Sequence, residues 1–449
     1  MLRRKPAASP FDYVRDWNAE REARGWWHSF ALPDGSVIRG VCTLEGLESR
    51  ISKFPISQNL SGKRVLDIGT WDGWFAFEME RRGAEVLAID NWDNPRFHEM
   101  RERLGSRAEY RQMDVYDLTP DRIGYFDIVL FMGVIYHLKH PLLALERVCA
   151  LTKDLAAVDS FVLREKHRRL GGVKSGVEKR PVMEFYETDE FGGQTDNWVG
   201  PSLACLMAFC RTAGFARVEH RATMEYNACV ACHRKWEPPP VDAPPGPEIL
   251  EVFHDKNFGI NFSTRKDEYM KAQFQSSKRN LTLDDVKPEV EGYGMRPIQL
   301  HRCEDDRWEA IFKLPPGLTP GMHEVRLRVG DSAAGGPYSV VVDMPAETES
   351  LNITSICDGT TWKEVNPQSG TISLWVTGLP ENADKNNVEV RVNGKRLRID
   401  YVNPKRNQIN ALLDGALQPG LWQVEVSCGT CFSLFPYNVR PMPESPAQR

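Results

Sequence analysis

The first half of the chain alternates between continuous apolar runs and amphipathic stretches. The runs "KRVLDIG", "AEVLAID", "FDIVLFM" and "AAVDSFVL" are apolar at most positions, which is typical of strands buried on both faces of a parallel sheet. Between the first two lies "WFAFEMERRG", whose apolar residues recur at helical spacing and which ends at a glycine. Strands that alternate with helices in this way predict an α/β domain with a parallel sheet.

The pattern changes at "KWEPPPVDAPPGPE", residues 235–248, where six prolines predict an extended spacer between domains. Helical periodicity nearly vanishes beyond it, and short β-rich runs such as "RWEAIFKL" and "TISLWVTGL" follow in two series. Each series spans roughly 90–100 residues, the size of a seven-stranded sandwich. Both contain an "LxPG" turn before an alternating strand, "LTPGMHEVRLRV" and "LQPGLWQVEVS". We therefore predict a degenerate repeat of two all-β immunoglobulin-like sandwiches.

The residues before the first strand fall outside the sheet pattern. Ser9, Pro10 and Asp12 have the order of a helix N-terminus, and a short helix is predicted from there to about residue 24. The aromatic segment "GWWHSFALPDG" and a second helical stretch, "TLEGLESRISKF", follow it. The predicted domains are a helical N-terminal cover over 1–60, an α/β domain over 61–236, a proline-rich linker over 237–248, and sandwiches over 249–346 and 347–441.

The composition fits an ordinary soluble globular protein. Of the 449 residues, 41% are hydrophobic and 27% are charged, and the net charge of -5 gives no overall attraction for polyanions. No apolar run approaches the roughly 18 residues that span a bilayer, and the basic start lacks the apolar core of a secretory signal. Ten cysteines in a chain of this length do not make a disulfide framework. We expect a cytoplasmic protein with reduced thiols and no membrane contact.

The most informative stretch is the turn after the first strand, "VLDIGTWDGWF". Asp67 ends the strand, Gly69 and Gly73 bracket the turn, and Asp90 ends the second strand 23 residues after Asp67. In a nucleotide-binding βαβ unit, glycines let a ligand approach the backbone and the second acid accepts hydrogen bonds from a ribose. The spacing therefore favours a nucleoside ligand, held by these four residues and by Asn91, which directly follows the second acid.

Trp71 stands where many glycine-rich loops have another glycine. A dinucleotide places a pyrophosphate against the helix N-terminus and needs that position bare. S-adenosylmethionine carries no phosphate and needs space mainly near the first glycine, so an indole is tolerable there and would form a wall of the pocket. The loop therefore favours S-adenosylmethionine as the cofactor.

Two later segments are predicted at the same edge of the sheet, because each contains the end of a strand. Ligands of open α/β sheets bind at the carboxyl ends of the strands. In "YRQMDVYDL", a third strand is predicted to end at Asp114, which would accept the adenine amino group while Val115 flanks the ring. The alternative for Asp114 is a solvated acid at a strand end. In "YFDIVLFMGVIYHLKHP", a fourth strand runs into a loop at Met132–His137.

The set "VLDIGTWDG", "AID", "MDVYDL", "FDIVLFMGVIYHLKHP" and "NWVGPSLACLMAFCRTAGF" resembles class I S-adenosylmethionine-dependent methyltransferases, which have a Rossmann-like fold. More closely, it is similar to the family that includes the bacterial transferase acting on the 5-oxygen of tRNA wobble uridine. The resemblance covers roughly residues 20–225. It implies that Met132 and Tyr136 contact the cofactor and that Asn197 and Trp198 face the substrate.

The resembling tRNA enzyme uses a carboxylated form of the cofactor, held by basic residues that include an Arg-Lys pair before the first strand. Here that stretch is Trp26-Trp27-His28, and we assign Trp27 to the substrate side. A buried carboxylate without a cationic partner costs several kcal/mol. We therefore predict plain S-adenosylmethionine, with Arg24 and Arg39 as the nearby basic residues that could hold an additional carboxylate.

Methyl transfer from a sulfonium depends mainly on positioning, and a base is required only when the acceptor keeps its proton at neutral pH. His137, at the tip of the fourth-strand loop, is the first candidate for a catalytic base, and His28 is the second. The alternative for His137 is a helix cap or a backbone hydrogen bond. The loop lacks an Asn/Asp-Pro-Pro-aromatic sequence, which in resembling enzymes accepts exocyclic amines, so an oxygen acceptor is favoured.

The sequence leaves three functions open. They are methyl transfer to a saccharide or another small molecule, modification of a tRNA wobble uridine, and an inactive domain attached to a carbohydrate- or protein-binding module. The basic stretch "REKHRRLGGVKSGVEKR" is either a solvated loop or a lid over an acidic substrate. The motifs Cys229-x-x-Cys232-His233 and Cys428-x-x-Cys431 lie too far apart for a zinc site, and we predict no metal. The oligomeric state stays open.

Overall fold

The computed structural model of the chain describes residues 23–163, 176, 179–191, 193–224, 226–255, 261–264, 268–303, 306–343, 351–360, 370–393, 395–413, 415, 420–428 and 431–439. Most of the first predicted helix and most of the basic stretch 164–180 fall outside these ranges. The chain divides into two compact units. The first consists of Met1–Pro238 with Gly292–Arg296 and Pro315–Leu318, and the second of Pro239–Glu291, Pro297–Leu314 and Thr319–Arg449.

The first unit combines helices with strands. Its helices are α1 (Leu44–Ile51), α2 (Trp74–Arg81), α3 (Pro95–Leu104), α4 (Pro120–Ile123), α5 (Pro141–Leu151) and α6 (Leu203–Thr212), with short 3-10 turns at Val115–Asp117 and Ile135–His137. Its strands are β1 (Phe30–Ala31), β2 (Val37–Ile38), β3 (Arg64–Ile68), β4 (Glu85–Asp90), β5 (Glu109–Gln112), β6 (Phe126–Met132), β7 (Thr152–Phe161), β8 (Met183–Phe185), β9 (Val199–Pro201), β10 (Arg217–Thr223) and β11 (Asn227–His233). No helix in the described ranges is long and apolar enough to cross a membrane.

Seven strands form the central sheet in the spatial order β10-β11-β7-β6-β3-β4-β5. Strand β11 runs antiparallel to both neighbours, whereas β7, β6, β3, β4 and β5 are mutually parallel. The chain leaves β3 towards β4 on one side and returns to place β6 on the other. This reversal makes the carboxyl ends of β3 and β6 the topological switch point, where ligands of such sheets bind. The predicted Rossmann-like α/β architecture is confirmed.

The interior strands are buried on both faces, as their continuous apolar runs predict. Val65 and Leu130 belong to one apolar cluster, and their neighbours Leu66 and Val129 belong to another. Side chains of a strand alternate between its two faces, so each cluster is the core on one side of the sheet. All four residues are fully buried. Each such side chain stabilises the fold by roughly 1.5–3 kcal/mol.

The described part of the predicted cover contains a hairpin as well as a helix. Helix α1 begins after Thr43, whose Oγ1 accepts a hydrogen bond from the Gly46 N–H at 3.1 Å. Strands β1 and β2 pair around a turn in which Asp34 Oδ1 accepts from the Ser36 N–H at 2.9 Å and Gly35 has a φ of 85°. This turn chemistry gives a hairpin where the sequence pattern predicted only helices.

The rest of the chain is built of strands, as predicted. They are β12 (Glu248–His254), β13 (Asn261–Phe262), β14 (Tyr269–Gln275), β15 (Val286–Val290), β16 (Tyr293–Gly294), β17 (Pro297–Arg302), β18 (Arg307–Lys313), β19 (Gly321–Val329), β20 (Tyr338–Val342), β21 (Asn352–Asp358), β22 (Thr371–Thr377), β23 (Val388–Val392), β24 (Lys395–Arg396), β25 (Arg398–Asn403), β26 (Gln408–Leu412), β27 (Gly420–Cys428) and β28 (Cys431–Val439), with 3-10 turns at Leu283–Asp285 and Pro404–Arg406.

These strands lie in several sheets. Strands β12, β14, β18 and β17 form one sheet, and β13, β20, β19 and β15 lie side by side in another. Two four-stranded sheets follow, in the orders β21-β22-β26-β25 and β24-β23-β27-β28. The repeated "LxPG" segments lead into β19 and β27, which both begin at the glycine. The sequence pattern therefore predicted the β-rich character and the strand starts of this region.

Candidate active site

The predicted site residues meet at the carboxyl edge of the central sheet, where the glycine loop after β3 lies against the loop after β6. Gly69 has a φ of 71°. A Cβ atom built on it would lie 2.4 Å from Cγ2 of Val134, which belongs to the second loop. Only glycine allows this approach in a left-handed conformation. The two loops therefore lie against each other at this edge of the sheet, and we call the region that they line the crevice.

Trp71 also adopts a left-handed conformation, with a φ of 53°. Its backbone N–H donates to Oδ2 of Asp90 at 3.0 Å, and its indole lies 5.5 Å from that of Trp92, which is half exposed. These contacts offset the cost of a left-handed tryptophan. Gly73 has a φ of 94°, and a Cβ there would lie 2.6 Å from the Phe77 ring, so it too must be glycine.

Two buried acids, Asp67 and Asp90, lie at the ends of β3 and β4. Asp67 is 1% exposed, its Oδ2 accepts from the Thr70 hydroxyl at 2.7 Å, and burial raises its pKa to about 6. Burial also raises the pKa of Asp90, while the N–H groups of Trp71 and Trp92 act in the opposite direction. When ionised, this pair gives the crevice a negative charge that a cationic ligand would neutralise.

The residues predicted for the adenosine end lie beside these acids. Asp114 is exposed and accepts from the Tyr116 N–H at 2.9 Å, which caps the turn after β5. Val115 is buried. Asn91 is exposed, and its backbone carbonyl accepts from the Gln112 side chain at 3.0 Å. Strand β5 ends at Gln112, two residues before the predicted end at Asp114.

The loop after β6 supplies a phenol and an imidazole. Met132 is buried at the end of the strand. Burial raises the pKa of Tyr136, although the nearby Arg50 acts in the opposite direction, so its hydroxyl stays a hydrogen-bond donor. Nδ1 of His137 lies 3.2 Å from the backbone oxygen of Asp196, and burial lowers the His137 pKa. The side chain is 33% exposed, which leaves a neutral imidazole within reach of a ligand.

The loop before β9 closes this side of the crevice. The Trp198 N–H donates to the Tyr136 carbonyl at 2.7 Å, and Nζ of Lys139 lies 4.2 Å from the indole centroid. Asn197 is 1% exposed, and its Nδ2 donates to the Phe191 carbonyl at 2.8 Å. Trp198 therefore lies next to Tyr136, whereas the Asn197 amide bonds within its own loop.

The predicted cover is fastened to the glycine loop by Asp72, a residue that the sequence reasoning did not single out. Asp72 is fully buried. Its Oδ2 accepts from the N–H groups of Trp27 at 2.9 Å and His28 at 3.0 Å, and its Oδ1 bonds to Nδ1 of His28. Because a carboxylate only accepts, the imidazole donates from Nδ1. Trp27 and His28 are thereby placed beside the glycine loop.

A second buried pair, Arg50 and Asp159, was also missed. Arg50 comes from α1 and its Nη2 bonds to Oδ1 of Asp159, a fully buried residue near the end of β7. The Asp159 carboxylate also accepts from Asn227 at 2.6 Å and from the Cys229 thiol at 3.4 Å. Arg24, by contrast, is exposed, as is Arg39. An acid within the apolar run "AAVDSFVL" was the available signal, because a buried charge requires a partner.

The cysteine motif in the first unit lies in β11. Burial raises the pKa of Cys229 to about 12 and that of Cys232 well above its ordinary value, so both are protonated at neutral pH. Across the described part of the chain, no three or more His, Cys, Asp or Glu side chains are grouped so as to hold a metal ion. In the same part of the chain, the nine cysteines whose side chains are described are free thiols.

Known proteins resemble parts of this chain. Residues 44–171 match a family model described as a methyltransferase domain. The ubiquinone biosynthesis O-methyltransferase of Acinetobacter baylyi is 41% identical over 86 residues, which cover 18% of this chain and 36% of that protein. The tRNA U34 carboxymethyltransferase of Pseudomonas fluorescens is 28% identical over 163 residues, covering 36% and 48% of the two chains. This chain thus spans about a third to a half of these relatives.

A solved structure, the N-terminal domain of EvdMO1 with SAH bound, aligns at 20% identity and a TM-score of 0.35, over 48% of this chain and 94% of that one. The match places a methyltransferase domain in the first half of the chain, and the sheet order agrees with the Rossmann-like fold that the sequence predicted. The resemblance to methyltransferases inferred from the sequence is confirmed at the level of this domain.

Proposed function

We propose that the protein transfers a methyl group from S-adenosylmethionine to an oxygen of a small molecule or saccharide. The observation that supports this most directly is the crevice itself. Two buried acids, Asp67 and Asp90, face a glycine loop that leaves no room for a Cβ, and His137 lies on the loop opposite. Bound S-adenosylmethionine supplies a methyl group on a positively charged sulfonium.

The residues of the crevice fit that cofactor. In the proposed arrangement, Asp90 binds the ribose hydroxyls, Asp114 and Val115 take the adenine, and Met132 and Tyr136 lie along the cofactor from the second loop. The buried acids favour a cationic ligand, so plain S-adenosylmethionine fits better than its carboxylated form, whose extra carboxylate cancels the net positive charge. Competition between the two forms at neutral pH would test this preference, and a clear preference for the carboxylated form would contradict it.

His137 is the proposed general base. Its Nδ1 faces the Asp196 carbonyl oxygen, so Nδ1 carries the proton and Nε2 offers a lone pair. The lowered pKa keeps the ring neutral at physiological pH. Nε2 would take the proton of the acceptor hydroxyl, while the bound cofactor would supply the methyl group to that oxygen and be left as the neutral thioether, S-adenosylhomocysteine. Trp27 and Trp198 would border the acceptor, and Asn197 would support that border from inside its loop.

A pH profile tests this role. We expect kcat to rise through a pKa below the ordinary histidine value of 6.5 and to be flat above about pH 7. His137→Gln should lower kcat by roughly 100-fold or more while cofactor affinity is unchanged. His220→Gln, on the exposed side of β10, is the matched control. A His137→Gln enzyme with an unchanged profile would rule out the base.

The cofactor site is tested by calorimetry on Gly69→Arg and Asp90→Ala. Gly69→Arg fills the space between the loop after β3 and the loop after β6. Asp90→Ala removes the acceptor of the Trp71 N–H and the proposed acceptor of the ribose hydroxyls. Affinity for S-adenosylmethionine should fall by at least ~1–3 kcal/mol in the second variant and disappear in the first. Unchanged affinity in both would contradict the proposed site.

A tRNA substrate is the second candidate, supported by the similarity to a tRNA U34 carboxymethyltransferase. Transfer to labelled tRNA and to a panel of saccharides and small phenols, at low and high salt, separates the two. Binding to tRNA should weaken steeply with salt because phosphate contacts release counterions, whereas a neutral acceptor is nearly indifferent. Absence of transfer to any acceptor by a protein that binds the cofactor would favour an inactive domain in a binding module.

The arrangement of the β-rich region and the location of the protein are also proposals. The β-rich sheets after residue 248 are proposed to form two immunoglobulin-like sandwiches, with the boundaries predicted from the sequence. The free thiols are consistent with a reducing cytoplasmic location.

A further inference from the structure

We infer that Phe185 and Trp198 form a stacking platform for an uncharged saccharide ring of the methyl acceptor, and that Lys139 donates hydrogen bonds to the hydroxyl groups at its rim. The inference rests on the proposed function, because it names the class of acceptor for the same site. Neither Phe185 nor Lys139 was singled out from the sequence.

The platform consists of two aromatic side chains on the hairpin of β8 and β9. Phe185 ends β8 and pairs in register with Val199, the residue directly after Trp198. The two ring centroids are 6.3 Å apart, and the ring planes are inclined by 37° to each other. Phe185 is 66% exposed, whereas Trp198 is half-buried. The pair therefore presents an open, shallow apolar surface.

This platform adjoins the proposed acceptor site through backbone contacts. The Trp198 N–H donates to the carbonyl of Tyr136, the residue before His137 in the chain, at 2.7 Å. Nδ1 of His137 lies 3.2 Å from the backbone oxygen of Asp196, two residues before Trp198. The same short segment thus holds both the indole and the imidazole, and an acceptor that binds the platform is kept beside the proposed base.

The exposure of Phe185 indicates a ligand surface. A phenylalanine that is mostly exposed contributes little to the core of its own domain. Met183, two residues earlier on β8, is 41% exposed and lies on the same face of the strand because side chains alternate. Adjacent exposed apolar side chains next to a polar site are typical of a binding surface.

Lys139 supplies polar groups at the edge of the platform. Its Nζ lies 4.2 Å from the centroid of the Trp198 indole, and the side chain is exposed. Within the described ranges it forms no ion pair with a carboxylate. An ammonium group has three N–H donors, which suit the hydroxyl oxygens of a sugar. Ring stacking and donors at the rim together match one face and one edge of a pyranose.

Exposed acids near the platform favour an uncharged ligand. Glu187, Asp189 and Glu190 lie in the loop between the two strands, and Asp196 lies at the other end of the same loop. A polyphosphate backbone on this surface would face these carboxylates. A pyranose carries no charge, and its C–H groups are attracted to the negative face of an aromatic ring. A simple phenol would also stack, but its one hydroxyl is used in the methyl transfer and leaves none for Lys139.

Saturation-transfer difference NMR on the full chain tests the platform, with the methyl glycosides of glucose, galactose and mannose as ligands and S-adenosylhomocysteine present. We expect the strongest saturation at the C–H protons of one sugar face. Phe185→Leu keeps apolar area but removes the ring, and it should weaken glycoside binding roughly 5- to 10-fold. Phe185→Tyr should bind normally. Ile298→Ala, which truncates another exposed apolar side chain, is the control and should change nothing.

Lys139→Met isolates the second group, because it keeps most of the side-chain length but removes the three donors. It should weaken the glycosides several-fold while changing the binding of phenol little. Lys139→Arg should recover part of the loss. An unchanged affinity for S-adenosylhomocysteine in each variant shows that the fold of the domain is retained.

Several outcomes would overturn the subsite. They are the absence of saturation transfer to all three glycosides, glycoside binding that Phe185→Leu leaves unaltered, and methyl transfer to tRNA alone. Equal weakening of glycosides and phenol by Lys139→Met would remove Lys139 from it. A protein that binds glycosides through Phe185 but does not bind S-adenosylhomocysteine would retain the subsite and contradict the proposed function.

Discussion

Two buried aspartates connect the segment before the first central strand to the sheet, and they do so by different chemistry. Asp72 accepts from two backbone N–H groups and the imidazole of one continuous stretch, Trp27 and His28. Asp159 accepts from two separate places in the chain, the Arg50 guanidinium and the side chains of Asn227 and Cys229 in β11. Both carboxylates are fully buried. An imidazole exists as a neutral donor, whereas a guanidinium is always charged.

The different partners of the two aspartates predict how much stability is lost when each carboxylate is removed. Removing the charge of Asp72 leaves two amide donors and an imidazole, a group that can give up its proton, and another oxygen can satisfy these donors. Removing the charge of Asp159 leaves a buried cation without its counter-ion. Breaking a buried ion pair from one side is costly because the remaining charge is not solvated. The Asp159–Arg50 pair should therefore matter more for stability than the Asp72–His28 pair.

The largest expected effect is that of Asp159→Asn. It keeps the shape of the side chain but removes the counter-ion of Arg50, and we expect a loss of about 3–5 kcal/mol in the free energy of unfolding. Urea denaturation followed by circular dichroism measures this loss. In the double variant Asp159→Asn with Arg50→Met, which removes both charges, most of it should be recovered. A single variant as stable as the unaltered protein would show that the pair is not a buried ion pair.

A third buried aspartate, Asp67, differs from the other two because its side chain accepts a hydrogen bond from a neutral hydroxyl, that of Thr70. Its pKa is raised from 3.8 to about 6 by burial. A raised folded-state pKa contributes stability that is fully present below the unfolded value and is lost as the pH rises through about 6. Ionised Asp67 thus costs stability at neutral pH, by roughly 3 kcal/mol when burial raises its pKa from 3.8 to about 6.

Asp67→Asn cannot ionise, so it should gain up to about 3 kcal/mol over the unaltered protein between pH 4 and pH 8. The measurement is the free energy of unfolding of both proteins across that range. The same substitution should weaken S-adenosylmethionine at pH 8 more than neutral S-adenosylhomocysteine, because ionised Asp67 attracts the sulfonium. Parallel stability curves for the two proteins would contradict the raised pKa.

The pairing of Asp159 with Arg50 and of Asp72 with His28 could not be predicted from the sequence. Continuous apolar runs predicted β3, β4, β6 and β7, and the spacing from Asp67 to Asp90 predicted that these two acids lie at the carboxyl ends of neighbouring strands. Arg50 and Asp159 are 109 positions apart, and His28 and Asp72 are 44 apart. Periodicity carries no information on which distant polar side chains meet, so the cations considered from the sequence, Arg24 and Arg39, were merely close along the chain.

Some whole strands could not be predicted from the sequence either. Strand β17, "PIQLHR", begins with proline and ends in polar residues, and β28 contains a proline within "CFSLFPYNV", so neither has the usual strand pattern. The hairpin of β1 and β2 was missed because its strands have only two residues each, and pairing at that length depends on the turn and on tertiary packing. Strong local patterns predicted the interior strands of the central sheet, whereas these irregular strands lie in other sheets and depend on tertiary contacts.

An intermediate effect is expected for Asp72→Asn. The amide oxygen can accept from the Trp27 and His28 N–H groups, but the amide nitrogen then faces the Nδ1 donor. One unsatisfied buried contact costs about 1–3 kcal/mol. Thermal unfolding should show that loss, and hydrogen exchange should show faster opening of residues 26–28. His28→Asn combined with Asp72→Asn restores a donor–acceptor match and should recover part of it. A loss as large as that of Asp159→Asn would mean that His28 is charged in the folded state.

The smallest expected effect is that of Thr43→Ala, which acts on the helix that carries Arg50 without touching the ion pair. Thr43 Oγ1 caps α1 by accepting from the Gly46 N–H, and loss of such a cap costs about 1 kcal/mol. Hydrogen exchange should increase in the first turn of α1, while the stability loss caused by Asp159→Asn should be the same with and without Thr43→Ala, because Asp159 and the packing of α1 still position the guanidinium. The matched control is Thr43→Ser, which keeps the capping hydroxyl. If Thr43→Ala abolished the stability loss caused by Asp159→Asn, the position of Arg50 would depend on the local stability of α1 rather than on Asp159, and the two buried aspartates would differ less than their partners suggest.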